Sequence, residues 1–167
     1  MTTDTPSPES DHPPPSAPNI PNIKKDYEAA LGEFLIVFNQ IENLVTDLIV
    51  LALRKAGREK LHQSLTGDFY AQKIIYLDLI SLRFPEAASP PLIIALQALG
   101  NERNKLAHGH FEENPFDESY VIVSRQKRLA LPVSKIRRLT QQAETICSEL
   151  RQSQVFFWFE NITEDGS

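Results

Sequence analysis

The chain has 167 residues and a formal net charge of −5 at pH 7. This length suffices for one domain with a hydrophobic core, and the acidic balance excludes a protein that coats nucleic acid non-specifically. The single cysteine, Cys147, excludes an internal disulfide and a cysteine-based zinc site. Its apolar, helical neighbourhood predicts a buried structural thiol.

The N-terminal segment and the most apolar stretch together predict a cytoplasmic protein. Residues 1–22 hold seven of the twelve prolines, separated mainly by polar residues, and we expect them to be disordered. They contain no apolar stretch of the kind found in a secretory signal. The most apolar window, residues 34–53, carries five polar or acidic side chains that would be costly in lipid: Asn39, Gln40, Glu42, Asn43 and Asp47. We therefore expect no membrane span.

Apolar residues at three- and four-residue spacing predict four helices. These cover residues 24–55, a segment that follows residues 66–68 and ends at 84–85, residues 89–108, and a segment from 134 through 150. Ser89 is the expected N-cap of the third helix, with Pro90 at its first position. Gly109 is expected to end that helix in the left-handed conformation.

Two short β-branched or apolar segments, residues 120–124 and 128–133, interrupt the helical pattern. They predict a small hairpin or extended excursion before the last helix. The expected fold is all-α: an antiparallel four-helix bundle over residues 23–160, between disordered residues 1–22 and 161–167. The aromatic residues 156–159 either fold back over the bundle or form an exposed interface, and the sequence leaves both alternatives open.

The end of the third helix carries the residues best suited to chemistry. Asn104 and His108 share a helix face, whereas Arg103 and His108 point about 140° apart. The arginine side chain is nevertheless long enough to reach the same opening. The group combines a permanent planar cation, a neutral polar side chain and a side chain that titrates near neutrality. Such groups can hold a phosphodiester and move protons to and from its oxygens.

The pattern Arg103-Asn104-x-x-x-His108 resembles the signature of the HEPN superfamily, which lies late in a helix of an all-α domain. The resemblance extends to helix order and rough length over about residues 25–155. It implies a metal-independent endoribonuclease of toxin–antitoxin or phage-defence type. In a homodimer cleft, Arg103 would stabilise the phosphorane and His108 would transfer protons, giving a 2′,3′-cyclic phosphate without a cofactor.

The same resemblance allows a second function, because some HEPN proteins are non-catalytic modules that bind RNA, nucleotides or proteins. A protein antitoxin is a further partner that the resemblance implies. In the toxins that pair with nucleotidyltransferase antitoxins, a tyrosine that the antitoxin modifies follows the histidine by two positions. Here that position is His110, so we do not expect control by that route.

Other residues near the motif have both functional and structural interpretations. By resemblance, Glu42 of the first helix would orient His108 or pair with Arg103; alternatively, Glu42 faces solvent. A purely structural alternative ties Arg103 to a carboxylate on a neighbouring helix and leaves His108 at a helix end favoured by the dipole. His108, His110 and Glu112 lie close enough in sequence to suggest an ion site, but no other ligand cluster supports one. We predict no metal.

Positive charge for RNA binding is concentrated in residues 125–138, which contain no Asp or Glu. If the excursion folds beside the end of the third helix, these side chains would form a phosphate-binding rim. The alternative is an ordinary solvated loop and helix start. The six candidate residues are Arg125, Lys127, Arg128, Lys135, Arg137 and Arg138.

Overall fold

A computed structural model of the chain describes residues 23–61, 69–113, 120–124 and 127–164. These residues form four α helices and a three-stranded sheet, which confirms the predicted helical bundle with an extended excursion before its last helix. The elements are α1 (Ile23–Lys55), a 3₁₀ turn (Glu59–Leu61), α2 (Tyr70–Ser81), α3 (Pro90–His108), β1 (His110–Glu113), β2 (Tyr120–Ser124), β3 (Lys127–Ala130) and α4 (Val133–Glu164).

One continuous core joins the four helices. The centre of the apolar stripe of α1 is fully buried, and the other helices turn apolar residues of their own toward it; the buried central residues are Phe34, Phe38, Ile41, Val45 and Leu48. Each large side chain in this core contributes about 1.5–3 kcal/mol through burial. Burial of Leu96, Leu99 and Leu106 fixes the rotation of α3 about its axis. Because these residues face inward, Gln97, Asn101 and Asn104 are turned toward solvent, whereas Arg103 is half-buried.

Helices α1 and α2 run parallel to each other. The ring of Phe38 lies 4.8 Å from that of Tyr70, and Glu42 binds Lys73, so contacts advance along both helices in the same direction. The prediction of an antiparallel bundle is therefore wrong for this pair. Residues 56–69 separate the two helices, and such a connection is long enough to return to the level of Phe38 before α2 begins.

Helices α1 and α4 are also parallel. The Sγ atom of Cys147 lies 3.8 Å from the carbonyl oxygen of Val37, and Arg151 donates to Gln40 one turn further along both helices. Cys147 is buried as predicted, and burial raises the pKa of its thiol. The antiparallel arrangement is thus wrong for this pair too.

The sheet lies where α3 ends and α1 begins. Its strands are antiparallel in the order β1-β2-β3. The Tyr27 ring, near the start of α1, packs 5.8 Å from Phe111 of β1 and 4.8 Å from Tyr120 of β2. Since β1 follows α3 directly, this packing places the end of α3 beside the start of α1. Helix α3 therefore runs antiparallel to α1.

The two ends of α3 differ in how well the sequence predicted them. The Ser89 side chain accepts a hydrogen bond from the backbone N–H of Leu92 at 3.3 Å, which confirms the predicted N-cap. Gly109 ends the helix, but with φ −71° and ψ 143°, so the predicted left-handed conformation is wrong. The physical reason is continuity: the chain passes at once into β1, which requires extended backbone at this position.

The last helix extends further than predicted. It continues to Glu164, so the expected domain boundary at residue 160 lies inside α4. Phe157 is fully buried and packs 5.9 Å from Phe84, whereas Phe156, Trp158 and Phe159 are about 60% exposed. Of the four aromatic rings, only that of Phe157 folds back over the bundle. The other three form an exposed apolar surface.

The predicted N-terminal tail, residues 1–22, lies outside the described residues. By length and composition alone, residues 24–55 form the one helix of the described part that is apolar enough to cross a membrane. Core helices of soluble proteins pass the same test, and 44% of its most apolar window is buried in the bundle. A cytoplasmic location remains a prediction.

Candidate functional site

Arg103 occupies the α1-facing side of the last two turns of α3. Its guanidinium lies 5.5 Å from the centroid of the Phe38 ring, and Nη1 donates to Oδ1 of Asn104 at 3.4 Å. Its Nε is buried and has no hydrogen-bond partner. Leaving a buried N–H unpaired costs about 1–3 kcal/mol. Among the described residues no carboxylate binds Arg103, so the cation is oriented by a ring but not neutralised.

Glu42 has a different partner from the one expected. Its carboxylate binds the Nζ of Lys73 at 3.2 Å, and Lys73 is itself buried. The predicted pairing with Arg103 or orientation of His108 is not found. The reason lies in the helix directions: because α2 runs parallel to α1, Lys73 arrives at the level of Glu42 and neutralises it.

His108 is the last residue of α3 and is exposed. It makes no hydrogen bond or ion pair with any residue that the structure describes. Arg103 lies on a different side of the helix, and no contact among the described residues joins the two side chains. Asn104 contacts Arg103 and shares a helix face with His108, and it is thus the predicted residue that links them.

The metal interpretation gains no support from the described residues, in which no group of three or more potential ligands is placed to hold an ion. His110 begins β1, where its backbone pairs with Val123. From the sequence we also expect His110 to support Arg103 and His108 at the site, and that role stays a prediction.

The basic segment is divided between β3 and the first turns of α4. Arg125 lies outside the described residues, and Lys127 and Arg128 belong to β3. Arg137 and Arg138 are exposed on α4. The excursion does fold next to the end of α3, as the rim hypothesis requires, but RNA binding by these residues stays a prediction.

Lys135 differs from Arg137 and Arg138 because it has an acidic neighbour among the described residues. Its Nζ lies 3.9 Å from Glu102 of α3, and the same carboxylate binds Lys105. Lys135 therefore connects α4 to α3, and its charge is partly neutralised. Its contribution to a phosphate-binding rim is correspondingly smaller than that of the exposed arginines.

Sequence reasoning missed a cavity between α2 and α3. It has a volume of about 310 Å³ and adjoins Asn104. Tyr70 forms part of its wall and donates its hydroxyl to the Leu96 carbonyl oxygen at 3.0 Å. Burial, and secondarily the Glu42 carboxylate, raises the pKa of Tyr70 above its ordinary value.

A glycine inside α3 was the sequence signal that could have revealed this close packing. A Cβ atom at Gly100 would lie 2.6 Å from Cε1 of Tyr70, so only glycine fits without displacing the ring. Glycine in a helix interior costs about 1 kcal/mol relative to alanine, which makes such a position worth a structural explanation.

No protein-family model matches the chain, and no curated protein or solved structure is significantly similar to it. The HEPN resemblance therefore depends on the Arg103–His108 motif and on the order of the helices.

Proposed function

We propose that the chain is a cytoplasmic, metal-independent endoribonuclease of HEPN type that acts as a homodimer. The observation that carries the proposal is the state of Arg103. Its guanidinium is held on the Phe38 ring without a carboxylate among the described residues, and its Nε lacks a partner. The structural alternative required an ion pair with a neighbouring helix, and Glu42, the carboxylate named for it, is occupied by Lys73.

The chemistry follows from the two side chains. Neutral His108 takes the proton from a ribose 2′-hydroxyl, and the 2′-oxygen attacks the adjacent phosphorus. Arg103 stabilises the negative charge of the phosphorane through its planar donor fork. A protonated His108 of the second copy gives its proton to the departing 5′-oxygen. The products are a 2′,3′-cyclic phosphate and a 5′-hydroxyl.

Two copies are proposed because each reaction needs two proton transfers, whereas one chain offers a single motif histidine. Exposed apolar side chains at the C-terminal end of α2 support a contact surface: Leu79 lies on α2 and Leu82 directly follows it, and they are 60% and 80% exposed. Ile94 of α3 is also 66% exposed. Apolar surface of this kind is typical of an interface, and a twofold axis would bring two copies of α3 to one cleft.

The second candidate is a non-catalytic RNA- or nucleotide-binding module. It is favoured by one observation: no described residue fixes the orientation of the His108 ring. A histidine that acts as a general base usually has a partner on its second nitrogen, which sets the tautomer. In a binding module, Arg103 and Asn104 would hold a phosphate with no subsequent reaction.

The test is cleavage of RNA by the full chain in EDTA, comparing wild type with His108→Ala. Gln141→Ala, an exposed helical substitution on α4, serves as the matched control. We expect wild type and the control to release fragments with cyclic phosphate ends, and His108→Ala to release none while keeping its fold and oligomeric state. If the folded wild-type protein binds RNA but leaves it intact, the binding module is the correct function. Cleavage that EDTA stops, or that His108→Ala retains, would contradict the proposal.

A further inference from the structure

The exposed face of α3 carries a continuous row of polar side chains: Gln97, Asn101, Asn104 and His108. Their spacing of four, three and four residues places them on one helix face, and all four are exposed. With 1.5 Å of rise per residue, the row is about 16 Å long. None of the four carries a formal charge when the histidine is neutral. They are hydrogen-bonding groups that donate and accept without attracting a particular charge.

Three of these residues also line the cavity between α2 and α3. The cavity holds about 310 Å³, which is enough for one planar ring system. Its walls combine side-chain amides with aromatic and aliphatic surface, and no carboxylate contributes. The lining residues are Tyr70, Ala71, Ile74, Ile75, Gln97, Gly100, Asn101 and Asn104.

The cavity adjoins the proposed phosphate-binding residue through two separate contacts. Asn104 lines the cavity and accepts a hydrogen bond from Arg103. Tyr70 forms the opposite wall, and both Tyr70 and Arg103 pack against Phe38, at 4.8 Å and 5.5 Å from its ring centroid. A ligand in the cavity would therefore have its next group beside the Arg103 guanidinium.

We propose that this cavity binds the nucleobase next to the phosphate held by Arg103, and that the amides of Gln97 and Asn101 hydrogen-bond to the base edge. The proposal rests on the proposed function, since it names a base-recognition pocket for the same RNA strand. Amide side chains suit base edges because both present donors and acceptors side by side. Unstacked bases of single-stranded RNA are read in this way, with aromatic and aliphatic surfaces against their faces.

The spacing along α3 agrees with the dimensions of a nucleotide. One helical turn of about 5.4 Å separates Asn104 from His108, and another separates it from Asn101. The base would lie at Gln97 and Asn101, the phosphate at Asn104 and Arg103, and the proton-transfer group at His108. A peptide ligand fits less well, because the cavity offers neither an unpaired strand edge nor a long groove.

The first experiment measures binding without requiring catalysis. Side-chain amide NMR signals of the full-length protein are recorded during titration with each of the four nucleoside monophosphates. We expect the Gln97 and Asn101 amides to shift, and one nucleotide to bind more tightly than the others. Asn101→Ala should weaken that nucleotide roughly tenfold, the loss of about one good base contact. Gln142→Ala, in the separate groove between α3 and α4, should leave binding unchanged.

The second experiment separates this proposal from the proposed function. If the protein cleaves RNA, fragment ends are sequenced for wild type, Asn101→Ala and Gln142→Ala. Loss of base preference in Asn101→Ala but not in Gln142→Ala supports the pocket. Cleavage with the same base preference in wild type and Asn101→Ala would overturn the pocket and leave the ribonuclease intact. Nucleotide-induced shifts without cleavage would support the pocket and refute the nuclease. Amides that respond to no nucleotide, or only to a protein partner, would overturn the pocket.

Discussion

Lys55 and Arg103 both pack against aromatic rings, Lys55 at the C-terminal end of α1 and Arg103 near its middle, and their surroundings differ. Lys55 lies 5.6 Å from the rings of both Phe84 and Phe157, and its Nζ is 3.5 Å from Glu86. Arg103 lies on the single ring of Phe38 and has no carboxylate among the described residues. The first cation is neutralised and helps to close the bundle. The second is held in place with its charge uncompensated, which suits it to bind an anionic ligand.

Buried polar atoms show the same contrast. In the part of the chain that the structure describes, two buried side-chain polar atoms lack a hydrogen-bond partner: the Tyr27 hydroxyl and the Arg103 Nε. Both belong to the half of the bundle that carries the sheet. Such atoms reduce stability. The half of the bundle that carries the sheet therefore leaves buried polar atoms without hydrogen bonds, which the described end around Lys55 does not. We infer that the half with the sheet is the functional half.

The largest expected effect concerns the end of the bundle around Lys55. Phe157→Ala removes a fully buried ring that contacts Phe84 and Lys55, and should lower the free energy of unfolding by about 3–5 kcal/mol. Its neighbour Phe156 is 62% exposed, so Phe156→Ala should change stability by less than about 0.5 kcal/mol. Urea unfolding measures both. Equal losses would show that the C-terminal part of α4 does not pack as described.

The next effect concerns the site around Arg103 and is expected in activity rather than in stability. Arg103→Ala should reduce the rate of RNA cleavage by about 10²–10³-fold, since it removes a donor to the phosphorane. Arg83→Ala is the matched control, because Arg83 lies at a similar distance, 5.4 Å, from the Phe84 ring but outside the site. The control should keep its cleavage rate. If both variants lose activity to the same extent, or neither does, Arg103 has no special role.

Some features of the fold and the site could be predicted from the sequence, and others depend on how the helices pack. The four helices follow from apolar spacing, and the motif at the end of α3 from residue type and position. Helix directions were not predictable, because the same stripe on α1 fits a parallel or an antiparallel neighbour. The direction of α2 determines which residue binds Glu42, because a parallel α2 brings Lys73 to the Glu42 carboxylate. The cavity beside Asn104 likewise depends on how Tyr70 meets Gly100, which is a property of packing rather than of pattern.

A smaller effect tests that packing directly. Gly100→Ala should destabilise the protein by about 1–3 kcal/mol, because the new Cβ would lie 2.6 Å from the Tyr70 ring. Gly32→Ala on α1 meets nothing within 4 Å and should instead stabilise by about 0.5–1 kcal/mol through its helix preference. Thermal and urea unfolding would show the opposite signs. Stabilisation by both substitutions would mean that α2 and α3 are further apart than the structure places them.

The smallest expected effect at neutral pH concerns Tyr27, whose buried hydroxyl has no partner among the described residues. Tyr27→Phe removes that hydroxyl and keeps the ring on Phe111 and Tyr120, so it should stabilise the protein by about 1 kcal/mol at pH 7. Destabilisation at pH 7 would show instead that the hydroxyl is hydrogen-bonded.

The same substitution should alter the alkaline limb of the stability curve. Burial, with a smaller contribution from Tyr120, raises the pKa of Tyr27 from 10.0 to about 12 in the folded protein. Below pH 10 both states hold the proton. Between pH 10 and 12 the unfolded chain releases it while the folded protein retains it, so unfolding becomes more favourable by up to about 1.4 kcal/mol per pH unit. Tyr70 contributes in the same direction in both proteins. Urea unfolding from pH 8 to 11.5 should therefore show a shallower decline for Tyr27→Phe, and parallel declines would mean that Tyr27 ionises as readily in the folded protein as in the unfolded chain.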